Sequence, residues 1–288
     1  MFEFQLTSKI NERVWKVKHK EQDYVLKYYA SNTNLEKVRM IHHQLEAIHF
    51  PYVLPIENKI GTNYLVQKWL GNAQSFRYNY AFDRTKSLQL LQALHETSDQ
   101  IHWPEQPLLQ ELPIFQKWQH RLWRFEQLEE LVCQYIDVED YLKIVHYAKI
   151  ALTKIQNMQL PTEKPTLLHG DIVHHNFLKV EEKAYMIDFD LAHLGASSLE
   201  KVLWMHRVLP TVNYELKELI EEQPYLQSLD RRYYLFLLYP NELLREWLHF
   251  LTRLQKPSDS YLNKLLDFTT SALFKWPYLW YNIEQIKN

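Results

Sequence analysis

Hydrophobic and polar residues alternate in two short stretches near the start of the chain, which predicts an antiparallel hairpin with strands near residues 12–19 and 23–29. Apolar residues then recur at steps of three and four, which predicts a helix over residues 34–48. Residues 51–72 predict a second pair of strands that turns at 58–63. The first 70 residues are therefore expected to form a small antiparallel sheet that carries one helix.

Most of the chain after residue 71 shows the apolar spacing of helices. The predicted helices cover residues 86–96, 114–136 and 138–158, and helices resume from about residue 199. One polar interruption, TLLHGDIVHHNFLKVEEKAYMIDFDLAHLG, contains short β-like runs at 166–168, 177–180 and 184–187. We therefore predict an α+β fold with two lobes, an N-lobe over residues 1–70 and a mostly helical C-lobe over residues 71–288.

Composition and charge exclude several classes of protein. The chain has 288 residues, of which 46% are hydrophobic and 24% are charged, as is typical of a globular protein. Its formal net charge is −2 and its Lys and Arg residues are scattered, so binding to nucleic acid is not expected. The longest stretch without a charged residue, 47–56, is much shorter than the roughly 18 residues that a membrane span requires.

Cysteine and glycine are both scarce. The single cysteine, Cys133, excludes an intramolecular disulfide, and the N-terminus has no apolar segment behind a basic start. Both features predict a cytoplasmic protein. Only four glycines are present, where average usage of about 7% would give roughly 20.

The polar interruption concentrates residues that can carry chemistry. It contains HGD at residues 169–171, Asn176 five residues after that aspartate, and DFD at residues 188–190. Two short strands between Asn176 and Asp188 would form a hairpin that returns Asp188 to the neighbourhood of Asn176, as shared metal ligation requires. Carboxylate and amide oxygens are suitable ligands for magnesium.

These motifs resemble those of the aminoglycoside phosphotransferase and choline kinase family, which has the protein-kinase-like fold. The resemblance covers most of the chain up to about residue 205. It implies ATP and magnesium as cofactors and a small-molecule hydroxyl as the acceptor. It also implies that Asp171 is the catalytic base, that Asn176 and Asp188 hold the metal, and that Lys27 pairs with the nucleotide phosphates.

The resemblance further implies a hinge that binds the adenine and a glutamate that orients Lys27. The hinge would be formed by Gln67, Lys68 and Trp69. The predicted helix over 34–48 contains two glutamates, Glu36 near its start and Glu46 near its end, and we predict that Glu36 is the partner of Lys27. The segment QKWQHRLWRFEQLEE and the scarcity of glycine resemble most the spore-coat-associated kinase-like branch of this family.

The predicted activity is ATP- and magnesium-dependent phosphorylation of a small-molecule hydroxyl. An alternative comes from the nucleotide loop, which in this family usually contains glycine but here has the sequence LTSKINERVWK. This departure favours a catalytically inactive binding or structural protein, for example in a spore coat. The identity of the acceptor and the oligomeric state stay open, and a protein kinase is disfavoured because the chain has no segment like APE after Asp188.

Overall fold

The computed structural model describes residues 4–57, 63–252 and 259–286. The chain divides into two compact units, one formed by residues 1–111 and 164–197, the other by residues 112–163 and 198–288. No helix in the described ranges is both long enough and apolar enough to cross a membrane.

The first unit begins with a four-stranded antiparallel sheet in the order β1-β2-β3-β4. Its strands are β1 (Gln5–Asn11), β2 (Val14–His19), β3 (Gln22–Tyr28) and β4 (Tyr64–Lys68). The predicted hairpin is confirmed as β2 and β3. β1 was not predicted, because all seven of its residues are exposed and its sequence therefore carries no alternation of apolar and polar positions. The predicted turn at 58–63 lies almost wholly outside the described residues.

One helix, α1 (Asn32–Ala47), follows β3 as predicted. The Ser31 hydroxyl caps its N-terminus by accepting a hydrogen bond from the Asn34 N–H, at 3.3 Å. Leu35 and Val38 on its buried face form a cluster with Ile56 and Leu65, the latter from β4. The helix is thereby packed on the sheet through its apolar stripe.

The remainder of the first unit contains a helix and two smaller sheets. These elements are α2 (Ala81–Glu96), β5 (Gln74–Ser75), β6 (Thr166–Leu168), β7 (Phe177–Val180), β8 (Lys183–Met186) and β9 (His193–Gly195). β5, β7 and β8 form one antiparallel sheet, and β6 pairs with β9. The main chain of Met186 also donates a hydrogen bond to the Tyr52 carbonyl, at 2.7 Å. Residues 71–111 and 164–197 fall in the same compact unit as the N-terminal sheet, and the predicted division into lobes at residue 70 stays a prediction.

The second unit is helical. Its helices are α3 (Ile114–Glu126), α4 (Glu129–Val132), α5 (Val138–Gln156), α6 (Ser197–Val208), α7 (Leu216–Glu222), α8 (Pro224–Gln227), α9 (Arg231–Tyr234), α10 (Asn241–Leu251) and α11 (Asp259–Gln285). The helix predicted over 114–136 is interrupted after Glu126. In the core of this second unit, three tryptophans are almost fully buried, namely Trp118, Trp204 and Trp247. The abundance of aromatic residues therefore serves packing in this unit.

Candidate active site

A tight turn follows β6 and positions the first predicted catalytic residue. Gly170 has a φ of +78°, and a Cβ at this position would lie 1.8 Å from the Leu191 carbonyl oxygen, so only glycine fits. The imidazole of His169 is fully buried, and its Nε2 donates a hydrogen bond to the Ile187 carbonyl at 2.9 Å. Its Nδ1 accepts a hydrogen bond from the main-chain N–H of Asp171, at 3.4 Å. His169 is thus the neutral tautomer with its proton on Nε2, and it fixes the main chain at Asp171.

The structure brings Asp171 and Asn176 together. The amide nitrogen of Asn176 donates to the Asp171 carbonyl oxygen at 3.0 Å and to its carboxylate Oδ2 at 3.1 Å. Asn176 is only 3% exposed, and its main-chain carbonyl accepts a hydrogen bond from the Ile187 N–H at 3.0 Å. The predicted hairpin is confirmed as β7 and β8, whose pairing ends at Phe177 and Met186. Asn176 therefore lies beside the segment that carries Asp188.

Lys27 pairs with both aspartates of the DFD sequence. Its Nζ lies 2.7 Å from Asp188 Oδ1 and 2.8 Å from Asp190 Oδ2. Asp188 has a left-handed backbone with a φ of +68°. The structure thus joins Lys27 to a carboxylate 161 residues away in the sequence.

Two further side chains hold Asp190, and neither was predicted. The hydroxyl of Tyr29 donates to Asp190 Oδ1 at 2.6 Å, and the Lys37 Nζ donates to the Asp190 main-chain oxygen at 2.8 Å. Burial raises the pKa of Tyr29, and the negative charge of Asp190 raises it further, so Tyr29 acts as a hydrogen-bond donor. The sequence signal for Tyr29 was its position two residues after Lys27, which places both on one face of the strand.

The prediction that Glu36 pairs with Lys27 is corrected by the structure. The Glu36 carboxylate is 56% exposed and lies 2.9 Å from Arg39 Nη1, one helical turn away. The other glutamate of α1, Glu46, accepts a hydrogen bond from the Ile56 main chain at 3.0 Å. α1 begins at Asn32, so Glu36 falls on a solvent-facing position of its second turn.

A pocket of about 500 Å³ adjoins these residues, a size typical of small-molecule sites. Lys27, Asn176 and Asp188 line it together with the predicted hinge residues Gln67, Lys68 and Trp69. Ile10 and Asn11, from the predicted nucleotide loop, line it as well. All of these residues belong to the first unit.

The hinge residues already take part in the sheet. Gln67 Nε2 donates to the Leu54 carbonyl at 2.9 Å, and the Trp69 main-chain N–H donates to the Asp23 carbonyl at 3.0 Å. The Trp69 ring lies 5.0 Å from Lys16 Nζ, which is the distance of a cation–π contact. The Trp69 N–H is therefore engaged in an extension of the β3–β4 ladder, while the binding of adenine by these residues stays a prediction.

The donor set of the pocket fits a hard cation with few protein ligands. Asp188 supplies a carboxylate and Asn176 an amide, and magnesium favours such oxygen donors with phosphate and water completing its shell. Among the described residues, no group of three or more His, Cys, Asp or Glu side chains could hold a metal alone. A magnesium ion here would therefore depend on the phosphates for most of its remaining ligands.

The sequence and fold were compared with known proteins. Residues 5–197, more than half of the chain, match the sequence profile of the phosphotransferase enzyme family. No curated protein matches the sequence. An aminoglycoside phosphotransferase from Alicyclobacillus acidocaldarius is 15% identical with a TM-score of 0.69, and the match covers 99% of this chain and 95% of that one.

Two other structures of small-molecule kinases are similar over nearly their whole length. A choline kinase from Streptococcus pneumoniae is 12% identical with a TM-score of 0.59, over 95% of this chain and 93% of that one. A spectinomycin phosphotransferase, solved with ADP and spectinomycin, is 15% identical with a TM-score of 0.61, over 99% and 93%. At these identities the likeness shows the fold, and the predicted protein-kinase-like fold is confirmed.

Proposed function

Because this chain belongs to the phosphotransferase enzyme family, we propose that it transfers the γ-phosphoryl group of ATP to a hydroxyl of a small molecule, with magnesium as cofactor. One observation carries this proposal. Lys27, Asn176 and Asp188 line a single pocket, and Asn176 links that pocket to Asp171 by a hydrogen bond. Phosphoryl transfer requires positioning and charge neutralisation more than covalent chemistry, and these four side chains are the types that supply both.

Asp171 is proposed as the base. Its Oδ2 is held by the Asn176 amide, and its main chain is held by His169, so the carboxylate has a defined orientation. In the reaction Asp171 would accept the proton of the acceptor hydroxyl while that oxygen bonds to the γ-phosphorus, and the bond to the bridging oxygen of ADP breaks. Lys27 would neutralise charge on the phosphates. Magnesium, when bound by Asn176 and Asp188, would supply further charge neutralisation.

The nucleotide and the acceptor have support of different strength. Solved structures of the spectinomycin phosphotransferase with ADP and of an amicoumacin kinase with AMP-PNP and Ca²⁺ support a nucleotide in the corresponding pocket. The acceptors named for similar structures include choline, spectinomycin and gentamicin, which share hydroxyl groups but not one shape. The proposal therefore stops at a small-molecule hydroxyl. The single cysteine favours a reducing compartment, and the cytoplasm is the proposed location.

The alternative of a catalytically inactive protein is not favoured. A structural protein has no physical need for a buried asparagine that joins the base to the metal-binding segment. The glycine-free nucleotide loop remains the one feature that supports the alternative, and the experiment below decides between the two.

The test is a thermal-shift titration with ATP, with and without magnesium. For a dissociation constant of about 10 µM, millimolar ATP stabilises the folded protein by roughly 2.7 kcal/mol. That free energy raises the melting temperature by at least about 5 °C for a chain of this size. We expect a magnesium-dependent shift in the wild type that is lost in Asp188→Ala and retained in Asp99→Ala, whose carboxylate is 82% exposed and distant in sequence from the site. Absence of any shift in the wild type would refute the proposal.

A further inference from the structure

We propose that Asp190, held in place by Tyr29, is the residue that orients Lys27 in this protein. The inference rests on the proposed function only for what Lys27 does, namely pairing with the nucleotide phosphates. Asp190 is a positioning residue in this proposal, because it acts through Lys27.

Helix α1 offers Lys27 no carboxylate. Its two glutamates are engaged elsewhere, Glu36 with the Arg39 guanidinium at 2.9 Å and Glu46 with the Ile56 N–H at 3.0 Å. The helix instead contributes a cation, because Lys37 Nζ donates to the main-chain oxygens of Asp190 and Ala192, at 2.8 and 3.3 Å. α1 was expected to offer a carboxylate to Lys27. It offers instead an ammonium group to the main chain of the DFD segment.

Asp190 has the geometry of a fixed counter-ion. Its two carboxylate oxygens have different partners, Oδ1 accepting from the Tyr29 hydroxyl at 2.6 Å and Oδ2 lying 2.8 Å from Lys27 Nζ. Tyr29 is 4% exposed and its ring centroid lies 5.1 Å from Lys27 Nζ. Lys27 in β3 and Tyr29, one residue after the end of that strand, therefore hold the carboxylate between them, which restricts its rotation.

Asp188 and Asp190 have different relations to the pocket. Asp188 lines the pocket, and its side chain is 39% exposed, so it is available to a cation or a phosphate-bound group. Asp190 is not among the described residues that line the pocket, and its side chain is less exposed, at 29%. When Asp188 binds a ligand in the pocket, Asp190 remains paired with Lys27. The ammonium group is then kept at the pocket wall by a carboxylate that does not compete for the ligand.

Two measurements test this inference, one of them without nucleotide. The first is the rate at which an amine-reactive acylating reagent modifies Lys27 in the free protein, read by peptide mass spectrometry and divided by the rate at Lys16. Lys16 is a matched reference because its Nζ also pairs with a carboxylate, that of Asp23 at 2.6 Å, and its side chain is 23% exposed against 18% for Lys27. The second is the dissociation constant of ATP with magnesium, measured by calorimetry.

The variants are Asp190→Asn, Tyr29→Phe and, as the matched control, Glu36→Gln. Loss of one charged hydrogen bond, with Asp188 still in place, should raise the Lys27 to Lys16 labelling ratio about fivefold in Asp190→Asn. Tyr29→Phe keeps the ring and removes only the hydroxyl, and we expect about a twofold rise. The ATP dissociation constant should rise by about the same factors. Glu36→Gln should change neither quantity.

The outcomes are separable. An unchanged labelling ratio in both Asp190→Asn and Tyr29→Phe, or a rise in Glu36→Gln alone, overturns the inference. A rise at Lys16 equal to that at Lys27 means that the sheet has loosened as a whole, which also overturns it. If the wild type fails to bind ATP, the proposed function is wrong, while the labelling ratio still decides whether Asp190 orients Lys27.

Discussion

The turn at Gly170 offers a test of the loop that carries Asp171, and this test needs neither substrate nor nucleotide. An alanine at this position must adopt a φ near +78°, which costs an L-residue about 1–2 kcal/mol. Its Cβ would also lie 1.8 Å from the Leu191 oxygen and 2.7 Å from the Leu191 carbonyl carbon. Both atoms belong to the main chain, so no side chain can move aside, and overpacking of this kind costs a further 1–3 kcal/mol, roughly.

Together these terms predict that Gly170→Ala destabilises the protein by about 2–5 kcal/mol, which corresponds to a fall in melting temperature of roughly 5–15 °C. The matched control is Gly71→Ala, because a Cβ at residue 71 meets no atom within 4 Å. Thermal unfolding followed by circular dichroism measures both variants side by side. If Gly170→Ala melts within about 1 °C of the wild type while Gly71→Ala does the same, the close approach of the loop to Leu191 is wrong.

Three further predictions concern the site, an internal ion pair and the pH dependence of stability. Asp171→Asn should lower turnover at least about 100-fold in an assay of ADP release and change the ATP dissociation constant less than twofold; unaltered turnover would contradict the assignment of the base. Lys179→Met should destabilise by about 3 kcal/mol in urea unfolding, because the Asp83 carboxylate 2.9 Å away is 1% exposed and would be left buried without its cation. Lys183→Met, at the exposed start of β8 in the same hairpin, should have little effect. Burial lowers the pKa of His206 from 6.5 to about 4, so the unfolded chain binds the proton first and the free energy of unfolding should fall as the pH drops from 6.5 to 4. His206→Gln should flatten this decline in unfolding curves measured across that range. An unchanged slope would contradict the burial of the neutral ring.

The parts of the fold that the sequence could predict are those specified by local pattern. α1 follows from apolar residues at helical spacing behind a serine cap, and the structure places the cap at Ser31. The β7–β8 hairpin follows from two short β-like runs, and it sets Asn176 next to the segment of Asp188 because strands of equal length return the chain to its starting point. Motif spacing and hairpin geometry together were enough to predict that Asn176 and Asp188 lie near each other.

Side-chain partners across the fold could not be predicted in the same way. The choice of Glu36 as the partner of Lys27 depended on which face of α1 meets the DFD segment. An apolar stripe defines the buried face of a helix but not which polar residues at its margin reach a neighbouring segment. Lys37 lies one position further along and reaches the segment, whereas Glu36 points to Arg39. The role of Asp190 was missed for a related reason, since a second carboxylate two residues from Asp188 is indistinguishable in sequence from a solvated strand end.

The scarcity of glycine has a structural counterpart in the turns. Positions that commonly take glycine in tight hairpins are occupied by Lys20 and Glu181, each with a φ of +53°. At the turn between β1 and β2, the Asn11 side chain accepts a hydrogen bond from the Arg13 N–H at 2.9 Å, which stabilises the turn without glycine. The glycine-free nucleotide loop is therefore one of several turns in the first unit that form without glycine, and its composition alone is weak evidence against nucleotide binding.

Backbone strain at Asp188 also bears on whether the pocket is built to bind a nucleotide. A left-handed aspartate costs roughly 1–2 kcal/mol, and such a residue persists only when its surroundings impose the conformation. Here the preceding residue, Ile187, is held on both sides, since its N–H donates to the Asn176 carbonyl at 3.0 Å and its carbonyl accepts from His169 Nε2 at 2.9 Å. Both partners belong to the loop that carries Asp171. The conformation that presents the Asp188 carboxylate to Lys27 is thus imposed by the loop that carries Asp171, so the proposed base and the proposed metal-binding carboxylate are positioned as one unit.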